Sequence, residues 1–173
     1  MSKQLLFVSI VWLSAGQGLT QAESAFIARI GQSGEFLEMI DRDTRQIVSD
    51  ALPLYRAGNI RYFSAGVGVE ERRAEYPPFS LKVVFTAGGK PYLTGVDVTI
   101  RSEKGEPVIA ISRERIEGPW LFIELPSGRY DISAMYGDQK QELKGIEVVE
   151  GHQTTIHLRW KEDMGAMRQL PND

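Results

Sequence analysis

His152 and His157 are the two histidines of the chain, and imidazole is the side chain best suited to move protons or bind a metal near neutral pH. With Asp163 they form one conceivable ligand set. Their five-residue separation would place the rings on opposite faces of a continuous strand, which disfavours shared coordination. The expectation is therefore exposed turn and strand histidines. Ser64, Ser80 and Ser127 would act as nucleophiles only beside a base, and none stands in a Gly-x-Ser-x-Gly elbow. Turn chemistry accounts for Ser127, since in Pro126-Ser127-Gly128 proline fixes a torsion, the hydroxyl bonds local backbone and glycine permits a positive φ. Gly66 and Gly68 are a fragment of a phosphate loop, without a third glycine or a strand-to-helix setting. The absence of cysteine excludes disulfides, thiolate metal sites, haem attachment and cysteine nucleophiles. No catalytic residue, metal site or cofactor is expected.

The elements that position these residues change character along the chain. Lys3, the apolar run Leu5 to Leu13 and the small-residue exit Thr20-Gln21-Ala22 have the order of a secretory signal, with cleavage expected after Ala22. That apolar run is shorter than the roughly 20 residues that span a bilayer, so no transmembrane anchor is expected after cleavage, and the product should be periplasmic or secreted. Over 35–52, Phe36, Leu37, Ile40, Thr44, Ile47, Val48 and Ala51 fall on one side of a helical wheel, with Gly34 before and Pro53 after. The spacing predicts one amphipathic helix, which either packs on the following domain or binds a partner; packing is favoured. Residues 56–78, with their glycines and prolines, read as a connector holding one helical turn.

From Phe79 the period becomes two. Runs near 79–86, 95–101, 107–113, 119–125, 129–136, 141–149 and 153–160 are punctuated by turn signals such as Ala87-Gly88-Gly89, Pro126-Ser127-Gly128 and Gly137-Asp138. Seven short strands so spaced predict a β-sandwich. Residues 162–173 are expected to be a flexible tail. The chain has 173 residues, with 20 Lys and Arg against 23 Asp and Glu, the size and composition of one small domain without a basic footprint for nucleic acid.

Two stretches carry a resemblance. Gly89-Lys90-Pro91-Tyr92-Leu93-Thr94-Gly95-Val96-Asp97-Val98-Thr99-Ile100 and the segment from Gly118 to Ala134, with Leu125-Pro126-Ser127-Gly128-Arg129-Tyr130 inside it, resemble the carboxypeptidase regulatory-like domain. Ser64 to Arg72 looks like the lead-in of small exported bacterial proteins of this type. The resemblance covers about residues 79–160 and implies a seven-stranded, antiparallel, prealbumin-like (Ig-like) β-sandwich, all-β, preceded by the helical segment. It implies a tight Leu-Pro-x-Gly-x-Tyr turn with the Tyr packed inside, and it is almost silent on activity. Glu114-Arg115-Ile116-Glu117 departs from the acidic turn often found there. Neither histidine begins the His-x-x-Glu pair of a zinc carboxypeptidase, and the chain lacks the Tyr-Arg-Gly-Ser signature of the similarly folded hydroxyisourate hydrolase.

Most strand aromatics, Trp120, Phe122, Tyr130, Tyr136 and Trp160, are expected in the core. The strand at 119–125 is nevertheless apolar on both faces. The resemblance puts Trp120 and Phe122 inside, leaving Leu121 and Ile123 outward, to be covered by the stripe of the 35–52 helix or offered to a partner. The functional expectation is a non-catalytic, exported interaction or structural module of the cell envelope, with 107–113 a plausible open edge. Its expected partner is an envelope protein, through Leu121, Ile123, Tyr92 and Trp160. The alternative is a carbohydrate-binding module in which at least two of Tyr92, Trp120 and Trp160 are exposed.

Overall fold

A computed structural model describes residues 24–48, 51–88 and 93–161. The expected signal, the tail and Tyr92 lie outside these residues. Thirteen strands occur in the described chain: β1 (Phe26–Ile30), β2 (Phe36–Asp41), β3 (Leu52–Pro53), β4 (Tyr55–Ala57), β5 (Ile60–Ala65), β6 (Ala74–Glu75), β7 (Leu81–Ala87), β8 (Asp97–Ser102), β9 (Pro107–Ile111), β10 (Trp120–Ile123), β11 (Gly128–Tyr136), β12 (Gln139–Val148) and β13 (Thr154–Trp160). A single turn of helix, α1 (Val69–Arg73), and a 3-10 turn at Arg113–Arg115 complete them. Among the described residues no helix is long and apolar enough to cross a membrane.

The strands form three open sheets, ordered β3-β2-β1-β6, β13-β7-β10-β5-β4 and β12-β11-β8-β9. The five-stranded sheet is the centre of the molecule. One of its faces packs on the β12-β11-β8-β9 sheet through Leu81, Val83, Phe85, Leu121, Ile123, Leu158 and Trp160, against Val98, Ile100, Ile111, Ile132 and Ala134. Its other face packs on the N-terminal sheet, where Ala28, Leu37 and Met39 meet Phe63, Ala65, Phe79 and Phe122. Phe63 and Phe122 stack at 4.6 Å between centroids. A strand covered on both faces must be apolar at every position, and Trp120-Leu121-Phe122-Ile123 is such a strand.

Each segment expected as a strand from residue 79 onward contains one, and β9 is an edge. Three expectations are corrected. The strand count is thirteen rather than seven, because β1 to β6 precede the predicted set. The ladders are not all antiparallel: β13 runs parallel to β7 from Thr154↔Leu81 to Trp160↔Ala87, and β1 runs parallel to β6.

The third correction concerns the helix expected over 35–52, where β2 stands instead. Leu37 and Met39 alternate inward, and Phe36 is exposed. The chain then turns because the Asp41 carboxylate accepts from the Asp43 and Thr44 amides and from the Thr44 hydroxyl, an Asx turn that competes with helix. Arg45 follows with φ 61°, and an isolated bridge pairs Ile40 with Ile47. Ile40, Thr44 and Ile47 therefore share a helical spacing by coincidence. The covering role expected of this segment is filled by the strand's Leu37 and Met39.

The segment expected as a connector holds a hairpin. Ala57 pairs with Ile60, so β4 and β5 are joined by the two residues Gly58-Asn59, with Gly58 at φ 61° as such tight turns require. Residues N-terminal to 79 thus complete the central sheet.

Candidate functional site

A forked sheet edge creates the main cleft. β4 lies along only the first half of β5, Tyr55 opposite Tyr62. Just before it, the chain belongs to another sheet, where Leu52 and Pro53 pair with Leu37 and Phe36 of β2. Along the far half of β5 lies β3, close to β5 but hydrogen-bonded to β2 of the other sheet. Glu124 donates its amide to the Arg61 carbonyl, so alternation in an antiparallel ladder directs the amide groups of Arg61, Phe63 and Ala65 to β10. Those of Tyr62 and Ser64 point the other way. Tyr62 is met by β4, and Ser64 faces the side on which β3 lies without joining the central sheet.

This opening is the rim of a cleft of about 420 Å³. Leu52, Pro53 and Val67 give it apolar walls, Tyr55 and Arg115 one end, and Glu70, Glu71 and Glu117 its acidic groups. Tyr55 stacks on Tyr62 at 5.4 Å, and the Arg115 guanidinium lies 4.5 Å from the Tyr55 ring centre. Burial raises the Tyr62 phenol above its ordinary range, an effect that the nearby positive charge of Arg115 opposes. Arg115 is thereby stacked on Tyr55, which in turn stacks on Tyr62.

The loop that forms the other wall is fixed internally. Gly66 takes φ 100°, and the Gly66 and Val67 amides donate to Glu71 Oε2 at 2.6 and 3.1 Å, with the Gly68 amide 3.4 Å from Oε1. Arg72 donates to the Gly66 and Val67 carbonyls. The glycine pair that resembled part of a phosphate loop thus binds a carboxylate of its own chain. Tyr76 donates its hydroxyl to the Glu71 carbonyl, which ties α1 to the aromatic cluster beneath it.

The serines singled out in the sequence are structural ties. Ser64 Oγ accepts from the Gly118 amide at 2.8 Å and lies 3.2 Å from the Gly118 carbonyl. Ser80 Oγ accepts from the Leu125 amide and donates to the Leu125 carbonyl, both at 2.8 Å, inside the protein. Ser127 Oγ accepts from the Glu150 amide. His157 is exposed on β13 and His152 lies in the turn before it. Among the described residues no three of His, Asp and Glu converge on one point.

The predicted partner-binding residues lie elsewhere. Leu121 and Ile123 are 0% exposed in the core of the sandwich, the reverse of the outward placement expected. Phe122 and Trp120 take the other face, under the N-terminal sheet. Trp160 is also 0% exposed, and its Nε1 donates to the Gln139 carbonyl at 3.1 Å. Trp120 is half-buried, with the Lys82 ammonium 3.7 Å from its ring centre and the Gly66 backbone packed beside it. Tyr130 is buried in the Leu125-to-Tyr130 turn and donates to the Pro126 carbonyl.

Of the cleft residues, Leu52 and Tyr55 are not singled out in the sequence, and Val67, Arg115 and Glu117 enter only within stretches compared with the regulatory-like domain, not as site residues. One signal was available: Gly58-Asn59 between Tyr55-Arg56-Ala57 and Ile60-Arg61-Tyr62 has the form of a two-residue hairpin. No protein-family model, curated protein or solved structure matches the chain.

Proposed function

We propose that this protein is a non-catalytic interaction module of the cell envelope, exported by its N-terminal segment, that takes hold of another protein through the forked edge beside β5. One observation carries the reading: beside Ser64, where β3 and β5 belong to different sheets, the surface forms a walled cleft rather than lying flat. A cleft with apolar walls and a few charged groups can take a side chain of another protein and select among side chains. The likeness of residues 79–160 to the carboxypeptidase regulatory-like domain agrees with a binding role and adds no chemistry.

Photo-crosslinking in the cells that make the protein tests this. Val67 is exposed on the cleft rim, and Val149 is exposed outside the cleft lining. A benzophenone side chain at position 67 is expected to give a discrete crosslinked protein, and one at position 149 none. Equal labelling from both positions, or none from position 67, would overturn the proposal.

A further inference from the structure

We infer that the outer edge of β9 is a self-association surface, along which a second copy of this chain adds its own β9 in antiparallel pairing. The sheet edges among the described residues are not equivalent. β3, β4 and β6 have no more than three residues each. β12 and β13 close on each other, the Thr154 hydroxyl donating to the Glu147 carbonyl and Trp160 Nε1 to the Gln139 carbonyl. β12 also carries Lys140, Glu142, Lys144 and Glu147, charges of the kind that guard an edge. β9 is Pro107-Val108-Ile109-Ala110-Ile111, without a charge, and β8 is its one neighbour in the described sheet.

The backbone of this edge matches itself. Glu103 donates its amide to the Arg129 carbonyl toward β11, whereas Ser102 donates to the Glu106 carbonyl on the other side. Alternation along β8 therefore turns Val98 and Ile100 toward β9, and their register partners Ile111 and Ile109 turn back to β8. Ala110, between them, is exposed and directs its amide and carbonyl away from the sheet, where nothing among the described residues bonds them. About a two-fold axis beside Ala110, the amide of each copy meets the carbonyl of the other, and Ile109 stands opposite Ile111. No like charges oppose each other there, and the paired Ala110 side chains are small. Neither the main cleft nor the smaller one around Asn59 and Pro126 reaches β9, so no pocket selects the side chains of a foreign strand. That favours the second copy. Val108, skipped in the register with β8, and Pro107, which has no amide, end the regular edge on one side. So short a pairing gives a concentration-dependent dimer, in which two four-stranded sheets become one.

Sedimentation velocity on the protein purified from the cells that make it, over a concentration series, tests this. The mass is expected to double as concentration rises. Ala110→Pro removes the outward amide and leaves the β8 ladder intact, and Ala110→Lys sets two ammonium groups opposite each other. Both variants should keep the circular dichroism signal of the folded chain and lose the dimer. The chain has no cysteine, so Ala110→Cys supplies a single thiol, which should form a disulfide-linked dimer on mild oxidation, whereas the exposed Val149→Cys should not. A dimer that survives both Ala110 variants would overturn the inference by placing the interface elsewhere. A monomer at every concentration would overturn it too, leaving the edge to a strand of another protein, and neither result bears on the crosslink expected from position 67.

Discussion

Ser80 shows how a hydroxyl with catalytic associations serves as a clasp. It is buried between the start of β7 and the end of β10, accepting from one backbone group and donating to another of the same residue, Leu125. Ser80→Ala would leave that amide and carbonyl buried without their partner and is expected to cost about 1–3 kcal/mol in urea denaturation. The Arg61–Glu124 pair makes a different demand on pH. The Arg61 side-chain hydrogen bond, aided by its charge, holds the Glu124 carboxyl below its ordinary range against the opposing effect of burial. A depressed folded-state pKa gives stability that is present above the unfolded value near 4.5 and lost as pH falls through the folded value. Both side chains are partly solvated, so the contribution is that of a screened pair, about 0.5 kcal/mol. Glu124→Gln should flatten the stability profile between pH 5 and pH 3 by that amount, measured by denaturation across the range.

At the scale of elements, β10 decides the architecture. Its alternate residues serve two cores, so substitutions at adjacent positions have different consequences. Phe122→Ala removes the ring that stacks on Phe63 and is expected to cost about 3–5 kcal/mol, the range for large aromatic truncations. Hydrogen exchange should then rise first in β1 and β2, which rest on that ring cluster, with the β8 and β11 amides retaining more protection. Leu121→Asp should instead place a charge inside the main core and unfold the protein, visible as loss of the folded circular dichroism signal at ambient temperature. Uniform loss of protection in the first case, or a folded Leu121→Asp protein, would contradict the division into two cores.

For the whole molecule, the central sheet belongs to both layers, with β5 and β10 supplying residues to each core. Two cores that share strands should melt together. Far-ultraviolet circular dichroism and tryptophan fluorescence are therefore expected to give one coincident transition in denaturant. The shared sheet also explains the site: the chain enters the N-terminal sheet at Leu52–Pro53 and the central sheet at Tyr55, and the separation of those layers opens the cleft. A second transition, with the N-terminal sheet lost before the rest, would show that the layers are independent and that the cleft wall is mobile.

The sequence by itself determined the β class, the positions of the strands from residue 79 onward and the apolar character of both faces of residues 120–123, because period-two patterning and turn residues are local properties. It also contained the Gly58-Asn59 hairpin, whose short strands lay within a segment dominated by breaker residues. Tertiary structure alone decided which face of β10 looks toward which layer. Trp120 with Phe122 and Leu121 with Ile123 are both apolar pairs, so alternation cannot assign them to different cores. It likewise decided between helix and strand over 35–52, where an Asx turn at Asp41 and burial against Phe63 and Phe122 outweighed the helical spacing. The cleft belongs to the same category. Its walls come from residues 51–71 and 115–118, which meet only because two sheets diverge at Leu54, and no local pattern records a divergence between layers.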